Sequence, residues 1–262
     1  MSIPLAGRTA LITGSTQGLG LAIARRLAAG GSNIVLSGLA EPGAVAMIQR
    51  ELEAHCIRTL YSDADLSRPK DIARMVEMAL AAFGTVDIVI NNAVVRHEAP
   101  VETFAEDAWD KGLAVNLSAA FHAIRLTLPA MRKNGWGRII NIGSVFSFAG
   151  AVNRVAYVTT KTALLGLTRA VALETAGTDI TVNCICPGTA ETPIHAARID
   201  AIAAAEGIAR QEAERRFLST KQPTGRFIGA EGVAGLIAFL CSEEGRDITG
   251  AALPIDGGWT AS

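Results

Sequence analysis

Short runs of β-branched and other apolar residues alternate along this chain with longer stretches of helical periodicity. Runs at 9–13, 33–37, 58–62, 86–90, 137–142, 180–185 and 251–255 have strand length and are too apolar to leave a face in water. Between them stand helical patterns at 19–27, 42–54, 69–83, 155–173 and 230–241. The segment 69–83 places Ile72, Met75, Val76, Ala79, Leu80 and Phe83 at three- and four-residue spacings. Apolar strands separated by helices imply an α/β fold, a doubly wound seven-stranded parallel sheet with helices on both faces. No Pro/Ser-rich linker, charge block or internal repeat interrupts the pattern, so residues 1–262 are expected to form a single domain.

One stretch departs from the alternation. Residues 193–220, rich in Ala, Arg and Glu, suit one or two amphipathic helices broken near Gly207. An insertion after a strand's carboxyl end lies beside the ligand crevice of an open α/β sheet, so a small helical lid is expected there. Composition narrows the class of partner. With 24 basic against 25 acidic residues, the chain lacks the electrostatic footprint of a nucleic-acid binder. No apolar stretch approaches the roughly 18–20 residues that span a bilayer, and the start does not read as a secretory signal. Cys56, Cys184, Cys186 and Cys241 show no metal or disulfide spacing. Cys184 and Cys186, two apart in a strand-like run, are expected to share one buried face. Buried thiols in a reducing compartment, and hence a cytoplasmic protein, are the expectation.

The first strand runs into Gly14-Ser15-Thr16-Gln17-Gly18-Leu19-Gly20, after which a helix begins. Glycines here let the backbone turn sharply, approach a pyrophosphate and pack the helix on the sheet, while the helix N-terminus offers free N–H groups to phosphate. The GxxxGxG spacing differs from the common GxGxxG, but its place between first strand and first helix is the confirming context. A dinucleotide is therefore expected. At the end of the second strand, Ser37-Gly38-Leu39-Ala40-Glu41 carries no base to accommodate a 2′-phosphate, and Gln17 is uncharged. This favours NAD over NADP.

Tyr157 and Lys161 stand four apart in a helical segment and so share one face. Ser144 follows the strand that ends Asn141-Ile142-Gly143, which puts its hydroxyl at the carboxyl edge of the sheet. Oxidising an alcohol requires a base for the hydroxyl proton while hydride leaves to a nicotinamide. A phenol is a poor base at neutral pH, and an adjacent ammonium lowers its pKa. Lys161 supplies that charge, and Ser144 can hydrogen-bond the substrate oxygen where charge develops.

With the Gly loop, Ser144 and Tyr157/Lys161 in this order, and with Asp65-Leu66, Asn91-Asn92-Ala93, Asn116 and Pro187-Gly188 before Thr192, the chain resembles the short-chain dehydrogenase/reductase family over almost its whole length. The resemblance implies a Rossmann sheet and a homotetramer. It implies that Asp65 caps the adenine amine, that Leu66 belongs to the same cofactor-binding set, and that Asn92 and Ala93 line the adenosine side. Lys161 would bond the nicotinamide ribose, Pro187, Gly188 and Thr192 would hold the carboxamide, and Asn116 would link Lys161 to solvent through water. Val94 departs from the family pattern, which has glycine there.

Within the family, the segments 172–177, 183–188, 221–223 and 256–261 resemble the bacterial D-3-hydroxybutyrate dehydrogenases. At that group's substrate positions this chain carries Arg96, Phe146, Arg154 and Arg198, with Trp259 retained. Arginine introduces a planar fork suited to carboxylate or sulfonate. Convergence of Arg96, Arg154 and Arg198 on one pocket, and a small anionic hydroxy acid as substrate, are therefore expected. The alternatives are a 3-oxoacyl or general ketone reductase, recognisable by NADPH preference, and a nucleotide-sensing protein without turnover, against which the intact set Asn116, Ser144, Tyr157 and Lys161 weighs.

Overall fold

A computed structural model describes residues 5–191, 193–219 and 221–261; Thr192 lies outside the described residues. Seven strands, β1 (Thr9–Thr13), β2 (Asn33–Ser37), β3 (Thr59–Ser62), β4 (Ile88–Asn91), β5 (Trp136–Ile142), β6 (Asp179–Pro187) and β7 (Ala252–Ile255), form one sheet. Its order is β3-β2-β1-β4-β5-β6-β7 and every pairing is parallel. The expected strands are present with ends shifted by a few residues at most, within the ordinary uncertainty of strand boundaries.

Alternation along each strand explains why helices cover both faces. Ala10, Ile12, Ile34, Leu36, Ile88 and Ile90 enter one core with Ile23 and Leu27 of α1 (Gly18–Ala29) and Val233 and Ile237 of α9 (Ala230–Leu240). Leu11, Val35, Val89 and Ile139 enter the other, against α3 (Pro69–Phe83) and α5 (Ala119–Asn134). A parallel sheet buried on both sides must read as continuous apolar runs, and this one does. Pro254 sits in β7, at the sheet's edge, where its missing N–H leaves no ladder bond unmade.

The connections after β1 and β4 lead to opposite sides of the sheet, so the strand order reverses between them and leaves a crevice at their carboxyl ends. The remaining helices are α2 (Pro42–Glu53), α4 (Glu106–Leu113), α6 (Val155–Glu174), α7 (Pro193–Glu206) and α8 (Arg210–Ser219). Helices α7 and α8 form the expected helical insertion, and Gly207 between them has φ +63°. Two features were not anticipated. A π-helical turn, Ala114–Ser118, joins α4 to α5, and Cys56 is exposed at φ +60°, unlike the buried Cys184, Cys186 and Cys241. Among the described residues no helix is long and apolar enough to cross a membrane.

A buried polar chain ties the sheet to α6. The Asn91 amide donates to Asn141 Oδ1 (2.8 Å), the Asn141 amide donates to Thr168 Oγ1 (2.9 Å), and Thr168 donates to the Leu164 carbonyl (2.7 Å). Removing the middle member strands both neighbours in a water-free place. We expect Asn141→Ala to lower the unfolding free energy by about 2 kcal/mol, measured by urea denaturation; a loss below about 0.5 kcal/mol would show that the chain carries no such weight.

Candidate active site

At the carboxyl end of β1 the glycines are required by close approach. A Cβ on Gly20 would lie 2.1 Å from the Gly14 carbonyl oxygen, and one on Gly14 would lie 3.0 Å from Ala93 Cα. Asn92 fastens the loop from the next strand: its amide donates to the carbonyls of Thr13 and Gly14, both at 2.9 Å. Thr13 Oγ1 in turn accepts from the backbone N–H groups of Asn92 and Ala93. Helix α1 has no side-chain cap from Gln17 and no acid in its first turn. Its first N–H groups and dipole are thus left for an external anion. Gly18, at φ +54°, has open space where a Cβ would be. These features fit a dinucleotide's pyrophosphate.

Thr16 stands close to Gly38, Leu39 is 84% exposed, and the Tyr61 hydroxyl donates to the Gly38 carbonyl (2.7 Å). Leu19 and Leu66 pack on the two cores. Asp65 accepts from the N–H (2.9 Å) and hydroxyl (2.7 Å) of Ser67. Val94 is not at positive φ, so valine in place of glycine brings no backbone strain. Gly188 lies against the buried Gln222, whose side chain accepts from Thr189 N–H and donates to the Arg226 carbonyl. Gln222, which the sequence marks only as part of the 221–223 resemblance, fastens the segment after Pro187.

Tyr157, Lys161, Ser144 and Asn116 are all buried at the carboxyl end of the central strands. Lys161 lies one turn after Tyr157, and its ammonium donates to the Ile142 carbonyl at 2.5 Å. Ser144 opens a short 3-10 turn, Val145–Ser147, and its hydroxyl accepts from Phe146 N–H (3.2 Å). Ser147 joins the two parts: its oxygen accepts from Ser144 N–H (3.2 Å) and its hydroxyl donates to the Lys161 carbonyl (2.8 Å). Asn116, on the π-helical turn, grips the Val95 backbone in both senses, Oδ1 accepting from N–H (2.8 Å) and Nδ2 donating to the carbonyl (3.0 Å).

Electrostatics set the phenol's state. Burial alone would push Tyr157 up. The Lys161 ammonium, then the Arg96 guanidinium, and hydrogen bonding with Ser144 and Arg96 more than reverse this, so the phenol titrates below its ordinary value. Burial pushes Lys161 down, against the opposing pull of Tyr157. Cys184 and Cys186 do share one buried face, with sulfurs 3.9 Å apart, directly under Gly143. Contact with Cys186 and burial push the Cys184 thiol up, so it stays neutral beneath the lysine.

The comparisons with known proteins agree with this geometry. The family model for short chain dehydrogenase matches residues 8–203. The chain belongs to the short-chain dehydrogenase/reductase family. It is 42% identical to the D-beta-hydroxybutyrate dehydrogenase of Cupriavidus necator over 98% of this chain and 99% of that one. Identity to the enzyme of the same name from Rhizobium meliloti is 43%, over 97% and 99%. L-sorbose reductase from Gluconobacter frateurii, solved with NADPH and L-sorbose, superposes with a TM-score of 0.91 at 30% identity over the whole of both chains. This family member is thus an oxidoreductase on a Rossmann-type sheet, from a family that binds a nicotinamide cofactor.

Of the seven expected substrate residues, six, Ser144 among them, come together in this oxidoreductase and one, Arg198, does not. Phe146 meets Tyr157 edge-on (6.3 Å between ring centroids) and Trp259 likewise (5.5 Å). Arg96 stands 5.3 Å over the Tyr157 ring, and Arg154 stands 5.7 Å over Phe146. Arg154 is already paired with Glu98 at 2.6 Å. Arg198, exposed on α7, stacks instead on Phe217 of α8, 5.5 Å from the ring centre. The expected convergence of three arginines is therefore a pair around the phenol wall, with the third held within the helical insertion.

The lowered phenol predicts a pH profile. Alcohol oxidation uses the phenolate, so its rate holds above the Tyr157 pKa and falls as pH drops through it, and that fall lies below pH ~10. Lys161→Met should move the fall upward. An acid limb that stays in place in this variant would show that Lys161 does not tune the phenol.

Proposed function

We propose that the chain is an NAD-dependent dehydrogenase of a small anionic secondary alcohol, of the 3-hydroxybutyrate type. The observation that carries this reading is a buried phenol set between Lys161 and Arg96 beside Ser144. The bound nicotinamide supplies a hydride acceptor. Gly14, Thr16, Gln17, Gly18, Leu19 and Gly20 hold the pyrophosphate on the α1 N-terminus, with Asn92 and Ala93 behind them. Leu39 and Glu41 leave no cation for a 2′-phosphate, and Asp65 and Leu66 flank the adenine. Lys161 holds the nicotinamide ribose, and Pro187, Gly188 and Thr192 the carboxamide.

Ser144 donates to the substrate oxygen and Tyr157 takes its proton. As the alcohol carbon loses hydride with the C–H electron pair, the oxygen keeps its own pair and forms the carbonyl. The proton then leaves Tyr157 past Lys161 toward Asn116 and solvent. Arg96 and Arg154 receive the anionic group against Phe146 and Trp259, and α7 and α8 close over it with Arg198. A homotetramer in the cytoplasm belongs to the same reading. The second reading is a reductase of neutral ketones or 3-oxoacyl groups using NADPH, favoured by the likeness to a sorbose reductase solved with that cofactor.

Initial rates with NAD⁺ and NADP⁺ decide between them, over D-3-hydroxybutyrate, longer hydroxy acids, hydroxyalkane sulfonates and the matching neutral alcohols. NAD⁺ and the anions should give the higher kcat/KM; preference for NADP⁺ and equal turnover of neutral alcohols would establish the second reading. Tyr157→Phe should lose at least about 100-fold in kcat with cofactor binding intact. NADH production unchanged by that substitution would remove the mechanism.

A further inference from the structure

The loop that follows β4 is held at both ends by unrelated elements. At its start, Asn116 grips the Val95 backbone from the π-helical turn with two hydrogen bonds. At its far end, Ala99 N–H donates to the Asn153 carbonyl (3.1 Å), Glu98 pairs with Arg154, and His97 packs edge-on against Phe104 (5.0 Å). Arg96 lies between these anchors, and its guanidinium is set over the Tyr157 ring. Glu98 occupies Arg154, so Arg96 is the exposed cation beside the phenol that no carboxylate pairs with among the described residues, whereas Lys161 is buried on the Ile142 carbonyl. A guanidinium has five donors in a rigid fork and can serve two acceptors at once.

We propose that Arg96 is a catalytic residue whose guanidinium is shared between the Tyr157 oxygen and the anionic group of the substrate, so that binding the anion makes the phenolate a stronger base. This rests on the reading of Tyr157 as the acid/base of an alcohol dehydrogenase and adds to it a link between substrate charge and proton transfer.

In the free enzyme, Arg96 joins Lys161 in favouring the phenolate, which keeps the base form available at lower pH. An arriving carboxylate or sulfonate takes part of the guanidinium's charge. The phenolate loses that stabilisation as the substrate hydroxyl arrives, and its proton affinity rises at the moment a proton is to be taken. Other groups around the phenol do not change in this way. Lys161 comes from the same helix and is buried, with Cys184 and Cys186 of β6 facing it from beneath. Ser144 comes from the turn after β5, and Arg154 lies beyond the Phe146 ring with its charge met by Glu98. A neutral alcohol leaves Arg96 on the phenol and gains nothing.

The chain contains two tyrosines, so tyrosinate absorbance can be titrated directly on the full-length protein without turnover, with Tyr157→Phe identifying the Tyr157 step. Arg96 is exposed and its replacement removes no core contact. Arg96→Gln should move the Tyr157 step upward, roughly tenfold in proton affinity, and Arg96→Lys should keep it low. Butyrate or methanesulfonate, compared with chloride at equal ionic strength, should move the wild-type step toward that of Arg96→Gln and leave Arg96→Gln unmoved. Coincident steps in wild type and Arg96→Gln, a wild-type step insensitive to both anions, or equal anion shifts in both proteins would each overturn the proposal. In turnover, the acid limb of kcat should lie above that of kcat/KM for anionic alcohols, and this gap should close in Arg96→Gln. Failure to reduce either cofactor with any alcohol would sink the dehydrogenase reading alone; an unmoved tyrosinate step would sink the role of Arg96 alone.

Discussion

An ammonium buried to 3% exposure must find oxygen, and most of the site follows from where Lys161 finds it. Taking such a charge out of water costs several kcal/mol unless it is hydrogen-bonded and electrostatically compensated. The Ile142 carbonyl, at the carboxyl end of β5, supplies the bond, and the phenol one turn earlier supplies compensation by giving up its proton more readily. Ser147 repeats the attachment through the Lys161 carbonyl and holds the turn that bears Ser144. Farther along α6, Thr168 is tied through Asn141 to Asn91. Helix α6 is thus fastened to two adjacent strands at two heights, and neither Tyr157 nor Ser144 depends on a free loop for its position. Groups so placed need little reorganisation when charge moves, which is the condition for electrostatic stabilisation to work.

The architecture was legible because it is written locally. Strand alternation, helix periodicity and the turn at Gly207 each depend on residues within one or two turns, and a doubly wound sheet follows from their order. The glycine-rich turn between β1 and α1 was legible for the same reason. What stayed hidden depends on contacts across the fold. Nothing near 114–118 marks a π-helical turn; it becomes intelligible only when Asn116 is seen reaching the Val95 backbone. Cys184 and Cys186 could be placed on one face of a strand, but not beneath the lysine. Gln222 looked like scaffold, because its partners lie on Thr189 and Arg226, across a turn and across the chain.

The arginines show why residue type at a position does not fix electrostatic state. Arg96 and Arg154 flank the same aromatic wall, yet one carries an unshared charge onto the phenol while the other is spent on Glu98. The difference comes from a single acid two residues beyond Arg96. That pair is partly exposed, and exposed ion pairs are worth up to about 1 kcal/mol. Exchanging Glu98 for another acceptor on Arg154 therefore costs little. The three arginines thus differ in state: Arg96 is set over the phenol with no carboxylate partner among the described residues, Arg154 is paired with Glu98, and Arg198 is stacked on Phe217.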